Sequence, residues 1–209
     1  MAHLRATLIA PIDSAYIQKV TEDVTAVSSS MEINDYSQEA PNASSDLIIF
    51  LIHADRGISQ HEIAAFNSLR ERQIPALVLV SSLMPSLGIP LAEDRWDFDD
   101  IATLITRTME KPVTPFLVLH DDDGFPIALY DLKEDRVINY TSGSPEAIDG
   151  DEELREIVRE FKEEFDEEDY SAIDFTSGLR VVALPYIPER KIGSEEFRGL
   201  ITMLQQAQP

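Results

Sequence analysis

Two continuous apolar runs in the middle of the chain predict strands that are buried on both faces. They are LIIFLI at residues 47–52 and ALVLV at residues 76–80. Such runs are typical of parallel sheets that helices cover on both sides. Between them, Ile63, Phe66 and Leu69 follow helical spacing. We therefore predict a strand, a helix and a strand joined by a right-handed crossover, a unit common to doubly wound α/β domains.

Local signals define the ends of this helix. Ser59 stands before it and Glu62 follows three residues later, a spacing that predicts a capping box. Gln73, Ile74 and Pro75 end the helix, because proline disfavours helical conformation in the residue before it.

The same patterns predict the other elements. Strands are expected at residues 4–10, 116–120, 126–132, 136–141 and 179–184, with a short one near 31–33. Helices are expected at residues 14–24, 98–108, 152–165 and 194–204. Residues 121–124, Asp-Asp-Asp-Gly, lack the alternating ligands of a calcium loop, so we interpret them as a turn. Pro112 and Pro115 indicate a boundary between two groups of elements.

The most acidic segment is predicted to be a helix rather than a disordered tail. Residues 149–169 hold twelve carboxylates and three basic side chains. Their apolar positions keep the i, i+3, i+4, i+7 spacing of one helix stripe: Leu154, Ile157, Val158, Phe161 and Phe165. We expect this stripe to pack against the protein and the carboxylates to face water.

Charge and composition restrict the function classes. The net charge of −22 opposes binding to a phosphate backbone and would suit a basic protein partner, although acidic surfaces also simply keep proteins soluble. The chain has no cysteine, so disulfides, thiolate metal sites and cysteine nucleophiles are excluded. No apolar run approaches the roughly 20 residues that span a bilayer, and the N-terminus does not resemble a signal peptide. We expect a cytoplasmic protein without membrane contact.

Several short strings, in their order along the chain, resemble the first domain of elongation factor G. Gly57-Ile58-Ser59-Gln60 resembles a Gly-Val-x-x-Gln loop of that family, and Ile74-Pro75 before ALVLV resembles its strand before the guanine motif. Tyr130-Asp131-Leu132 resembles the sheet that the family inserts into its GTPase core. The resemblance covers nearly the whole chain.

The resemblance implies a fold and a domain division. The fold would be α/β: a doubly wound, mostly parallel sheet of the P-loop GTPase type with an inserted α+β subdomain. Residues 1–111 and 179–209 would form the core, and residues 112–178 the insert. In the family the insert is an accessory surface, so Glu160, Glu163, Glu164 and Glu167 become candidate partner contacts.

The phosphate-binding motif of the family is damaged in this chain. Where the family has His-Ile-Asp-x-Gly-Lys-Thr, the matching segment reads Pro11-Ile12-Asp13-Ser14-Ala15-Tyr16-Ile17. Ala15 replaces the glycine, Tyr16 the lysine and Ile17 the magnesium-binding threonine. Lys19 comes three residues late. A phosphate loop needs glycine flexibility and a lysine countercharge, so the chemistry of the motif is lost.

The other nucleotide motifs are damaged too. Asn-Lys-x-Asp, whose aspartate would bind guanine, corresponds to Ser81-Ser82-Leu83-Met84. The switch motif Asp-Thr-Pro-Gly-His has its nearest match at Asp35, where only the aspartate remains. The first switch, with its magnesium-binding threonine, is deleted, since only a short span separates Val24 from Asp46. Pro185-Tyr186-Ile187 replaces the last motif, Gly-Ser-Ala.

No other constellation in the sequence predicts a site. His3, His53, His61 and His120 lack the spacing of metal ligands, so structural or solvated roles are expected for them. A Ser-His-Asp or paired-carboxylate site depends on spatial assembly and is not visible in the sequence.

Two hypotheses follow. In the first, the protein is a non-catalytic binding or regulatory protein that uses no cofactor and binds a protein partner, by family analogy a translation component. The positions Asp13, Ser14, Ala15, Tyr16, Ile17, Ser81, Ser82 and Met84 are then vestiges of a nucleotide site. In the second, the protein still binds or hydrolyses GTP at a non-standard site that uses Asp13, Ser14, Lys19 and Asp35.

Overall fold

The computed structural model describes residues 4–11, 14–27, 32–35, 45–84 and 96–207, with backbone only for 32–35. The strands of this part are β1 Arg5–Ile9, β2 Glu32–Asp35, β3 Leu47–His53, β4 Ala76–Ser81, β5 Phe116–His120, β6 Pro126–Asp131, β7 Arg136–Asn139, β8 Glu146–Ile148 and β9 Val181–Pro185. Its α-helices are α1 Tyr16–Val27, α2 Gln60–Arg70, α3 Phe98–Thr108, α4 Glu152–Glu167, α5 Ala172–Thr176 and α6 Ser194–Ala207. None of these helices is long and apolar enough to cross a membrane.

Five strands form one parallel sheet in the order β2-β1-β3-β4-β9. Strands β3 and β4 are buried along their whole length. Because successive side chains point to opposite faces, Phe50 joins the core beneath α2 and α3, whereas Ile49 and Leu51 join the core beneath α1 and α6. This two-sided burial confirms the predicted α/β class with a parallel sheet.

A second, antiparallel sheet contains strands β5 to β8 in chain order. It builds a small core of its own with α4, to which Tyr130 and Val158 contribute. The segment is also tied to the parallel sheet, because Val113 pairs with Val182 of β9. Phe175 of α5 is fully buried in the core beneath α1 and α6. The segment predicted as an insert therefore shares core contacts with the parallel sheet.

Among the described strands and α-helices, β8 and α5 were not predicted. All three residues of β8 are exposed, so the strand leaves no apolar alternation in the sequence and depends on backbone pairing with β7. Helix α5 has five residues, too few to display a period. Its start does carry a signal, since Ser171 and Asp174 form a capping box.

The predicted capping box of α2 is confirmed. Ser59 Oγ accepts a hydrogen bond from Glu62 N at 3.3 Å, and Ser59 N donates to the Glu62 carboxylate at 2.6 Å. Helix α2 ends at Arg70, and the chain turns into β4 through Gln73, which has a φ of 51°.

The stripe predicted for α4 is only partly buried. Val158 is buried, and Leu154 and Phe165 pack at the margin of the core. The prediction is wrong for Ile157 and Phe161, which are 66% and 45% exposed. Helix α4 packs through a narrow line of contact, and the other flank of its stripe faces solvent.

A buried polar contact joins α1, the end of β9 and α6. Tyr186, fully buried, donates a hydrogen bond from its hydroxyl to Asp23 at 2.7 Å. Arg198 of α6 lies 3.4 Å from the other oxygen of the same carboxylate. Burial, followed by the contact with Asp23, raises the pKa of Tyr186 above its ordinary value, so the phenol remains the donor. A buried carboxylate needs such partners, because an unpaired one costs several kcal/mol.

We expect Tyr186→Phe to lower the free energy of unfolding by about 1–3 kcal/mol, because Asp23 loses a buried donor. Urea unfolding monitored by circular dichroism measures the change. Tyr170→Phe is the matched control, since the Tyr170 hydroxyl is buried without a hydrogen-bond partner among the described residues. An equal loss in the two variants would contradict the prediction.

Candidate functional site

The candidate site lies at the carboxyl edge of the parallel sheet, where open α/β folds bind their ligands. In the sheet, β2 lies on one side of β1, whereas β3, β4 and β9 follow on the other side. The strand order therefore reverses direction at β1. Ligands bind outside the carboxyl ends of strands at such a switch point. Three of the predicted positions, Ser14, Tyr16 and Ser82, meet here around His53.

His53, at the end of β3, is buried and forms the centre of this cluster. Its Nε2 lies 2.8 Å from Ser14 Oγ, and its Nδ1 lies 3.4 Å from Ser82 Oγ and 3.9 Å from the Asp55 carboxylate. Ser14 Oγ also accepts a hydrogen bond from Tyr16 N at 3.2 Å, which caps the first turn of α1. The structural role expected for His53 is consistent with its burial, although its position in the cluster was not predicted.

Tyr16 covers the cluster where the family resemblance would place a lysine. Its ring meets that of His53 edge-on, with centroids 5.5 Å apart. Burial, followed by a hydrogen bond to Glu189, raises the pKa of Tyr16 to about 12, and Asp55 adds to the shift. Two carboxylates therefore border the Tyr16 hydroxyl, which remains protonated and donates to Glu189.

The other described residues of this segment, Ala15, Ile17 and Lys19, do not form an anion site. Lys19 lies on α1, where its ammonium group donates to Glu22 at 3.1 Å. Ile17 packs against the core beneath α1 and α6, and Ala15 is exposed. Asp13 lies outside the described residues, and Asp35 is described by its backbone alone. The cluster around His53 thus contains carboxylates where a polyphosphate would need cations.

The positions expected to read guanine are absorbed into the fold. Ser81 is fully buried and donates a hydrogen bond to the Ile52 carbonyl at 3.2 Å. Met84 packs on the core beneath α2 and α3. At the end of β9, Tyr186 and Ile187 are buried core residues. None of these side chains presents the carboxylate that would bind a guanine edge in two places.

The loop between β9 and α6 connects this edge to the antiparallel sheet. Glu189 accepts the hydrogen bond from Tyr16 on one side. Arg190 donates to the Pro126 carbonyl at 3.2 Å and stacks over the Phe125 ring, and Lys191 donates to the Gly143 carbonyl at 2.7 Å. Sequence reasoning missed Glu189, because its contact depends on how this loop folds back over α1.

No group of three metal-binding side chains lies close together in the described part of the chain. Asp121 instead accepts hydrogen bonds from the backbone of Asp123 and Phe125, at 3.1 and 2.8 Å. The predicted turn at residues 121–124 is confirmed.

Comparison with solved structures supports the fold. A crystal structure of a protein from Thermus thermophilus matches 96% of this chain with a TM-score of 0.65 and 14% sequence identity. This chain covers 40% of that protein. At this identity, the similarity shows a shared fold and nothing about activity. No family model matches the chain, and no curated protein matches it.

A buried carboxyl group near this edge gives the protein a pH dependence. Glu196, in the first turn of α6, accepts a hydrogen bond from the Tyr140 hydroxyl at 2.5 Å. Burial raises the pKa of Glu196 above its ordinary value, with Glu195 and Asp131 adding to the shift. Because the folded state holds this proton to a higher pH than the unfolded state, this group lowers stability as the pH rises through the raised pKa.

We expect Glu196→Gln to reduce that loss, because glutamine does not ionise and still offers an oxygen to Tyr140. Relative to wild type, the free energy of unfolding of the variant should increase between pH 4.5 and pH 7. Urea titrations across this range measure it, with Glu160→Gln on the exposed face of α4 as the control. The prediction fails if the two variants show the same pH profile.

Proposed function

We propose that this chain is a non-catalytic, G-domain-like binding protein related to elongation factor G, one that has lost its GTP chemistry and acts in the cytoplasm through a protein partner. The observation that supports the proposal is the cluster of Ser14, Tyr16 and His53 at the carboxyl edge of the parallel sheet, which is bordered by carboxylates. The shared fold is compatible with this ancestry.

Electrostatics supports the absence of nucleotide binding. A triphosphate needs backbone amides, a lysine and a metal ion at the helix start. In this protein the helix start is capped by Ser14, and Lys19 is engaged by Glu22. Asp55 and Glu189 would repel the phosphates, and the whole chain carries a net charge of −22.

We expect no saturable binding of a fluorescent GTP analogue with Mg²⁺, even at millimolar nucleotide, because Tyr16 stands where the resemblance would place the lysine countercharge. Fluorescence anisotropy measures the binding, with an active GTPase as the positive control for the probe. Micromolar affinity would contradict the proposal and favour the alternative, a GTP-binding protein with a non-standard site. In that case Lys19→Ala should weaken binding.

The acidic surface of α4 is the proposed partner contact, and the contacts of its carboxylates guide the choice of residues to test. Glu160, Glu163 and Glu167 are exposed. Glu164 is exposed as well, but it contacts Lys111 at 2.7 Å, and Glu168 contacts the same ammonium group at 2.6 Å. Reversal of Glu164 would therefore disturb a contact that holds α4 to the rest of the protein.

We expect the triple variant Glu160→Lys, Glu163→Lys and Glu167→Lys to capture at least tenfold less of the proteins bound by the wild type from the source cell, because charge complementarity is reversed. Quantitative mass spectrometry of the captured proteins measures this.

The matched control reverses three exposed carboxylates on the antiparallel sheet: Asp122→Lys, Asp123→Lys and Glu146→Lys. It changes the net charge equally. If both triple variants lose capture equally at moderate salt, the effect is one of net charge, and the proposed contact surface on α4 is wrong.

A further inference from the structure

A groove lies between α3 and α4. It has a volume of about 310 Å³. One wall comes from α3, with Asp99, Ala102 and Thr103, and the other from α4, with Phe161 and Phe165. Leu117 and Leu132 of the antiparallel sheet also line it. The groove therefore has an apolar interior between two helices.

An exposed apolar strip on α4 extends this groove. Phe161 is 45% exposed and lines the groove, and Ile157 precedes it by one helical turn and is 66% exposed. Side chains four residues apart lie side by side on a helix. The groove and the strip together offer a continuous apolar surface that nothing in the described part of the chain covers. We call it the α3–α4 groove.

The charges around this groove are mostly negative. On α4, the acidic positions three or four residues from Ile157 or Phe161 are Glu153, Glu160 and Glu164. No basic residue has that spacing from either side chain. On the opposite wall, α3 contributes one carboxylate, Asp99, and one exposed cation, Arg107. Lys111 also lines the groove and is paired with Glu164 and Glu168, so the excess of negative charge comes from α4.

The basic residues of α4 lie on the other flank of the helix, and each has a carboxylate near it. Arg155 lies 3.6 Å from Asp135, and Lys162 lies 2.5 Å from Asp166. Arg159 contacts Glu156 at 3.0 Å. The side of the helix that faces the groove is left with apolar and acidic groups.

We propose that the α3–α4 groove binds a basic amphipathic helix of a partner protein, whose apolar stripe packs on Phe161 and Ile157 and whose lysine or arginine side chains face Asp99, Glu153 and Glu160. Helix-in-groove recognition uses apolar anchors at i, i+3, i+4 and i+7, and charged rims set the partner's sign. The inference rests on the proposed function, because it specifies the chemistry of the protein partner.

Charge also favours a basic helix over other possible occupants of the α3–α4 groove. A second copy of the chain carries the same net charge of −22 and would place like charges against each other. Anionic lipid surfaces and nucleic acids present negative charge as well. A basic amphipathic helix can bury its apolar side chains in the groove and place its positive charges near the carboxylates around it.

The test uses the full-length protein and a synthetic ~16-residue peptide of lysine and leucine with leucines at helical spacing. A scrambled peptide of the same composition, without an apolar stripe, is the control for pure charge attraction. Isothermal titration calorimetry gives the dissociation constants. We expect the amphipathic peptide to bind with a stoichiometry of one and the scrambled peptide to bind about tenfold or more weakly.

Substitutions on both walls of the α3–α4 groove test whether the peptide binds there. Phe161→Ser removes the exposed anchor, and Thr103→Arg places bulk and positive charge on the exposed surface of the opposite wall. Each should weaken peptide binding about tenfold. Ile173→Ser is the matched control, because Ile173 is 74% exposed on α5 and should leave the affinity unchanged. Urea unfolding verifies that each variant remains folded.

Three outcomes would overturn the inference: equal affinity for the two peptides, unchanged affinity in Phe161→Ser and Thr103→Arg, or an equal loss in Ile173→Ser. Concentration-dependent dimerisation in sedimentation velocity that Phe161→Ser abolishes would identify a second copy as the occupant and would also overturn it. The peptide experiments do not depend on the GTP titration. Failure of the groove proposal can therefore be distinguished from failure of the proposal that the protein has lost nucleotide binding.

Discussion

The rest of the structure depends on the burial of the parallel sheet on both faces. Strands β3 and β4 have apolar side chains on each side, and neither face tolerates water. Helices α2 and α3 must cover one face, and α1 and α6 the other. This constraint fixes the positions of the strand ends, and those positions create the edge at which the candidate site lies.

Burial at that edge explains why Ser14 and Ser82 form a hydrogen-bonded cluster with His53. A buried imidazole requires partners, because an unsatisfied polar group costs about 1–3 kcal/mol. His53 has Ser14 and Ser82 within reach, and Ser14 at the same time caps α1. Similarly, the hydrogen bond between Tyr186 and Asp23 connects the end of β9 to α1. These hydrogen bonds between polar side chains thus stabilise the edge of the sheet.

The acidic charge is distributed unevenly, and this separates two surfaces. At the sheet edge, Asp55 and Glu189 surround a closed cluster and discourage anions. On α4, carboxylates accompany exposed apolar side chains beside a groove. Charge alone would serve solubility. The combination of charge with apolar exposure is what favours the second surface as a contact site, because hydrophobic exposure costs free energy unless something covers it.

The sequence by itself determined the α/β class, most element positions and the capping of α2, because periodicity and capping are local properties of neighbouring residues. The differences from the elongation factor G motifs that the chain resembles were equally visible at Ala15, Tyr16 and Met84. Only the tertiary structure decided that His53 joins Ser14 and that Glu189 reaches Tyr16, since these residues come from separate loops. It also decided that Phe161 stays exposed. The spacing of apolar residues in α4 shows which side chains can pack, but not how much of the helix the antiparallel sheet covers.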